Sequence, residues 1–187
     1  MRSALLAATA CLPLVTSVAL ADDVTDAIDA ARKAYQAGDL SGAKQSLDVA
    51  SQLIGQKNAE SFGKLLPAAL PGWTAEPVQT TSVGAAGFGA TAASRTYNKP
   101  NGDSIEVQIT GDSALIAPFA MFFSNPAIAG AMGKLVMIGS VRALQNTEGD
   151  LHMIANNKFL VSVQGNGSAS DKIAYASAVD FAGLSKL

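Results

Sequence analysis

The chain of 187 residues is 49% apolar and 15% charged, with a formal net charge of −2. This composition is typical of a chain that folds, and it excludes an extended disordered protein. The basic residues form no run that could neutralise successive phosphates, so we predict no nucleic-acid partner. The length suits one principal domain with a small additional unit.

The first 21 residues have the features of a signal peptide. Arg2 gives a positive start, an almost wholly apolar stretch follows, and Ala19 and Ala21 are the small residues that signal peptidase requires. We expect cleavage after Ala21 and a periplasmic mature chain without a transmembrane span. A retained membrane anchor is disfavoured by the proline inside the stretch and by the acidic pair after it.

Cys11, the single cysteine, lies inside this removable segment. Lipid attachment at Cys11 is an alternative, although Ala8 stands where such processing favours a leucine-like residue. If cleavage follows Ala21, the mature chain has no cysteine. Disulfides, thiolate metal sites and cysteine nucleophiles are then excluded.

Two helices are predicted within residues 23–58. Apolar residues recur at three- and four-residue spacing on both sides of Gly38 and Asp39, which suit the end of one helix and the start of the next. The recurring residues are Val24, Ile28, Ala31, Tyr35, Leu40, Ala43, Leu47, Ala50 and Ile54. Residues 61–66 either extend the second helix or begin a short third one. We place a helical hairpin at residues 22–66.

Part of this hairpin resembles a tetratricopeptide repeat, in which small residues let two antiparallel helices approach closely. The resemblance rests on residues such as Ala31, Tyr35, Ala43 and Ala50, and it covers one hairpin only. A repeat array needs about three units to bury its faces, and no second copy of the period is present. We therefore expect one hairpin docked on the following domain, with a peptide-binding array as the alternative.

The hairpin leads into an apolar entry, Leu70-Pro71-Gly72-Trp73. This join resembles uncharacterised proteins predicted in proteobacterial periplasms. The resemblance implies a periplasmic location, and it carries no activity, catalytic residue or cofactor.

Residues 67–187 predict an α+β domain. Short strands follow one another, and Leu151–Ala155 faces a strand that begins at Phe159 across Asn156-Asn157-Lys158, which suits a hairpin turn. We place the centre of the sheet at residues 134–167. Ile105, Val107 and Ile109 alternate with polar residues, so we expect their strand to have one exposed side. A closing helix is placed at residues 169–184, with Ser168 and Asp171 spaced as a capping box. Its inward-facing residues are expected to be Ile173, Ala176, Phe181 and Leu184. Tight turns imply a mainly antiparallel sheet with helices packed on one face.

An apolar segment at residues 114–132 carries large side chains on more than one side of any helix. Some of them must meet a second element, line a cavity or lie exposed, and we expect the hairpin to cover them. The candidate ligand or partner contacts are Trp73, Leu115, Phe119, Phe122 and Phe123. Trp73, the only tryptophan, is explained more simply as a core anchor.

No set of residues in the sequence predicts catalysis, a cofactor or a metal site. His152 is the only histidine, so serine or cysteine triads of the usual kind lack either their base or their nucleophile. His152 and Met153 cannot easily share one soft metal ion, because adjacent strand residues face opposite sides. The acidic residues that begin at Asp22 suit a helix N-terminus better than a calcium loop.

We therefore predict a non-enzymatic periplasmic module that binds a protein partner in the cell envelope. The alternative is a carrier or sensor of an apolar ligand or lipid, held between the sheet and residues 114–132. An enzyme without a recognisable motif is a third option.

Overall fold

The computed structural model describes residues 22–82, 90–111, 116, 130–131 and 133–187. Their fold is α+β, as predicted. The elements in chain order are α1 Asp23–Gln36, α2 Leu40–Gly63, β1 Thr74–Ala75, β2 Gln79–Ser82, β3 Thr91–Asn98, β4 Ser104–Gly111, β5 Lys134–Ile138, β6 Val141–Gln145, β7 Leu151–Ala155, β8 Phe159–Gly165, α3 Ala169–Ser177 and α4 Phe181–Leu184. None of the described helices is long and apolar enough to cross a membrane.

The turn between α1 and α2 forms as the sequence predicts. Gly38 adopts a left-handed backbone with φ of +80°. Asp39 caps α2, because its Oδ1 accepts a hydrogen bond of 2.9 Å from the amide of Gly42. The second helix continues to Gly63 without a break, so residues 61–63 extend it and do not begin a third helix.

Every strand pairing among the described residues is antiparallel. The order across the sheet is β1-β3-β4-β8-β7-β6-β5, with β2 also paired to β3. Residues 134–167 supply the four strands of one half of the sheet. The predicted centre is correct for β8 and wrong for β5, which lies at an edge, because each strand of this half pairs with the next one in the chain.

Both the hairpin and α3 pack on one face of the sheet. Phe62 of α2 meets Phe159 edge to face, with ring centroids 5.5 Å apart. The ring centroids of Tyr175 of α3 and Tyr97 of β3 are 4.3 Å apart. Cross-strand partners share a face, and the β3–β4–β8 register places Phe159 and Tyr97 on the same one. That face carries the fully buried Ile105, Val107 and Ile109, while the other side of β4 is more exposed, as predicted.

The predicted closing helix divides into α3 and α4. Ser168 caps α3 by accepting a hydrogen bond of 3.1 Å from the amide of Asp171, as the capping pattern predicts. Asp180 starts α4 by accepting from the amide of Gly183. The expected inward position of Ile173 is wrong: Ile173 is 37% exposed, and the neighbouring Lys172 is buried instead.

Candidate functional site

The predicted contact residues have different outcomes. Leu115, Phe119, Phe122 and Phe123 lie outside the described residues, as does almost all of the segment 114–132. Trp73 is described and is buried, with 8% of its surface exposed. The expectation that the hairpin covers the segment stays a prediction, and so does the ligand carrier that depends on it.

Trp73 is part of an aromatic cluster in the core. Its ring meets Tyr175 edge to face at 5.3 Å, and the ammonium of Lys99 lies 4.5 Å from its centroid. Burial raises the pKa of Tyr97 to about 12, and the Tyr97 hydroxyl donates a hydrogen bond of 2.6 Å to the carbonyl of Pro67. The cluster therefore ties the connector after α2 to the sheet, as expected for a core anchor.

The described residues bring His152 next to a serine. His152 Nδ1 lies 3.1 Å from Ser162 Oγ, and the two residues are direct cross-strand partners on β7 and β8. Burial lowers the pKa of His152, against the opposing charge of Asp150, so the imidazole is neutral near pH 7. Ser162 is only 6% exposed in the middle of a strand, where a substrate carbonyl has little access. We interpret the pair as a structural contact across the sheet.

A buried ion pair joins α3 to the loop before β7. Lys172, 1% exposed, donates hydrogen bonds of 2.6 Å to Asp150 Oδ1 and 2.9 Å to the carbonyl of Glu148. Burial alone would raise the pKa of Asp150, but hydrogen bonds from Lys172 and Asn146 outweigh it and lower that pKa. Among the described residues, no three His, Cys, Asp or Glu side chains are grouped to hold a metal ion. The pair orients α3 on the sheet.

The hairpin is built with small residues inside. Ala31 of α1 and Ala43 and Ala50 of α2 are buried. Ala50 and Ala59, two and a half turns apart, lie on opposite sides of α2, and Ala59 is on the part that packs on the sheet. α2 therefore lies between α1 and the sheet.

Large apolar side chains remain outside. Five of them are between 45% and 69% exposed, and we name them the apolar hairpin face: Ile28, Tyr35, Leu40, Leu47 and Ile54. Residues spaced by seven lie on one side of a helix, so Ile28 and Tyr35 form one stripe and the three residues of α2 form another. The predicted apolar stripes are thus divided, with alanines buried and large residues exposed.

Both stripes lie on the same side of the hairpin. At 100° per residue, each stripe is rotated by roughly 50° from the buried alanines of its own helix, in the same sense. Because α1 and α2 run antiparallel, equal rotations place the stripes side by side. Five large side chains about half exposed correspond to on the order of 500 Å² of apolar surface, the size of the largest apolar patch on many monomeric proteins, which is often a functional surface.

Paired charges border this face. On α1, Arg32 and Asp29 lie beyond the stripe, on the side away from the buried alanine. Their side chains form an ion pair of 3.1 Å. Past the α2 stripe, Lys44 and Asp48 form one of 2.8 Å. Both pairs are exposed and neutralise themselves, so the border has little net charge to offer a partner.

Comparisons with known proteins find no counterpart: no family model, curated protein or solved structure matches the chain.

Proposed function

We propose that this chain is a non-enzymatic module of the cell envelope that binds a protein partner through the apolar hairpin face. Residues 1–21 would direct export and would then be removed, on the sequence features of that segment. The mature protein would then present the hairpin in the periplasm.

The placement of large and small side chains carries this proposal. A hairpin that served only to support the domain would gain most by burying Leu47 and Tyr35, since full burial of a large apolar side chain contributes about 1.5–3 kcal/mol. Here alanines take the inner positions and the large residues lie in solvent. Such a patch, with a polar border, has the anatomy of a protein interface.

The hairpin also suits a rigid platform. Phe62, 2% exposed, fixes the end of α2 to Phe159 of β8. Lys57 Nζ lies 3.1 Å from Asp22 Oδ1 and ties the start of α1 to α2. A surface that is already ordered loses little conformational entropy on binding, which favours affinity.

The neutral border defines the kind of partner. Because Arg32 and Lys44 are already paired with acids on their own helices, they provide no strong attraction for a charged protein. We therefore infer an apolar surface of another envelope protein, such as one face of an amphipathic helix lying along the two stripes. Binding should depend weakly on salt.

Leu47→Asp tests the face against a control on the same helix. Val49 is 46% exposed, similar to Leu47 at 55%, but lies two residues further on and so faces a different side of α2. A protein captured from envelope extract, then identified and purified, is expected to bind Leu47→Asp at least about tenfold more weakly than the unchanged chain. Val49→Asp should retain full affinity, as measured by titration calorimetry.

The proposed surface would be refuted if Leu47→Asp and Val49→Asp lost affinity for the partner equally, or if neither lost affinity. Sedimentation of the purified protein provides a second check. If the unchanged chain dimerises and Leu47→Asp does not, the occupant of the face is a second copy and not another protein.

A further inference from the structure

A cleft of about 710 Å³ opens at the end of the sheet that carries the β5–β6 and β7–β8 turns. Its walls are the start of β6 with Val141 and Arg142, the end of β7 with Ile154 and Ala155, and α4 with Phe181. It lies within the described residues and is separate from the apolar hairpin face. Its volume is in the range of small-ligand pockets.

The cleft exists because two β-hairpins separate. The β6–β7 ladder ends at Ala143 and Met153. Both outer ladders continue beyond that point, β5–β6 to Val141 and β7–β8 to Ala155. The residues that would form the next β6–β7 pairs, Arg142 with Ile154 and Val141 with Ala155, instead line the cleft.

The remaining wall is held in place by the β7–β8 turn. Asn156 and Asn157 both adopt left-handed backbone, with φ of 53° and 54°, which asparagine tolerates better than most residues. The amide of the Asn156 side chain donates a hydrogen bond of 3.3 Å to the carbonyl of Leu184, at the end of α4. The turn and α4 therefore form an ordered border.

The cleft combines one cation with a mixed lining. Five of the ten lining residues are apolar, Val141, Ile154, Ala155, Phe181 and Ala182, and the others beside Arg142 are the neutral polar Ser140, Asn156, Asn157 and Ser185. Arg142 is the only charged residue among the described lining residues, and no described carboxylate lies within 4.0 Å of its guanidinium. Lys158 and Lys186 directly follow lining residues in the chain. An anion entering the cleft would meet positive charge and the donors of a guanidinium.

We propose that this cleft binds a carboxylate carried on a short apolar chain. Arg142 pairs with the carboxylate in a bidentate arrangement, and Ile154, which faces the same side of the sheet as Arg142, contacts the apolar chain. Two sources share this chemistry, a free organic acid and the carboxyl terminus of a peptide. The open ladder suits a peptide as well, since its backbone could lie along β6 or β7.

Octanoate and an acetylated tetrapeptide ending in valine are the probes, the peptide being tested as free acid and as amide. Binding to the full mature chain is measured by titration calorimetry and by amide chemical shifts. We expect Arg142→Gln to weaken binding of the free acid at least about tenfold. Arg32→Gln, which changes the net charge equally on the distant α1, should leave affinity within about twofold. Arg142 is exposed, so its variant should keep the melting temperature.

Binding of octanoate with shifts in β6, β7 and α4 would identify a free-acid site. Binding of the peptide acid, but not its amide, would identify a carboxyl-terminus site. The proposal is overturned if neither probe binds at ~10 mM, if the shifts lie elsewhere, or if Arg142→Gln binds as well as the unchanged chain.

Discussion

Asp150→Ala is expected to lower the free energy of unfolding by about 3–5 kcal/mol, because it leaves the ammonium of Lys172 buried without its counter-charge. Lys172 is 1% exposed, and its 2.6 Å hydrogen bond to Asp150 is the charged contact it has within the described residues. The carbonyl of Glu148 would remain as a neutral acceptor at 2.9 Å. Urea unfolding of both proteins measures the difference.

Asp48→Ala is the matched control. Asp48 also pairs with a lysine, Lys44, but the two side chains are 59% and 78% exposed, and such pairs contribute at most about 1 kcal/mol. Replacing both buried partners, as Asp150→Leu with Lys172→Met, should recover much of the loss because no buried charge remains. A cost for Asp150→Ala no larger than that for Asp48→Ala would show that the pair is not a buried anchor.

The same pair has a defined pH dependence. The pKa of Asp150 lies below its ordinary value of 3.8 in the folded protein, since hydrogen bonds from Lys172 and Asn146 outweigh the effect of burial. The stabilisation that the ionised Asp150 adds to the free energy of unfolding is therefore fully present above about pH 4. It is lost as the pH falls through the lowered pKa of Asp150. In Asp150→Ala the stability should consequently fall less steeply on acidification below pH 4.

Phe62→Ala should have a comparable effect, about 3–5 kcal/mol of unfolding free energy. Phe62 is 2% exposed, and its ring fills the space above Gly111, where even an added Cβ would come within 2.7 Å of it. Truncation leaves a cavity between α2 and the sheet. Thermal and urea unfolding should show a single weakened transition, because the hairpin and the sheet lose the same contact.

Leu47→Ala serves as its control on the same helix. Leu47 lies on the apolar hairpin face and is 55% exposed, so its truncation should change stability by about 0.5 kcal/mol or less. Should Phe62→Ala cost under about 1 kcal/mol, the hairpin would be a tethered arm and not a docked element.

Local patterns predicted the elements best where turn chemistry defines them. Asn156-Asn157-Lys158 correctly placed the β7–β8 hairpin, because asparagine accepts the left-handed backbone that the turn needs. That turn also implies the register that pairs His152 with Ser162, so this contact was predictable and was missed.

Other features depend on tertiary contacts that a one-dimensional pattern does not contain. Lys172 turns inward because Asp150, 22 residues away in the chain, receives its ammonium, and this rotates Ile173 outward. The two helices of the hairpin pack against each other through alanines, so the larger apolar residues of each predicted stripe remain exposed. The cleft beside Arg142 arises from the end of a strand ladder, which no local pattern marks.

Site-specific photocross-linking tests the proposed partner surface most directly. A benzoylphenylalanine residue is placed at Tyr35, at Leu47 or, as control, at Val49, and cells producing the full chain are irradiated. We expect Tyr35 and Leu47 to give an adduct with the same second protein and Val49 to give none, because only the first two lie on the apolar hairpin face. Adducts only between copies of this chain, equal adducts from Val49, or no adduct at all would contradict the proposal.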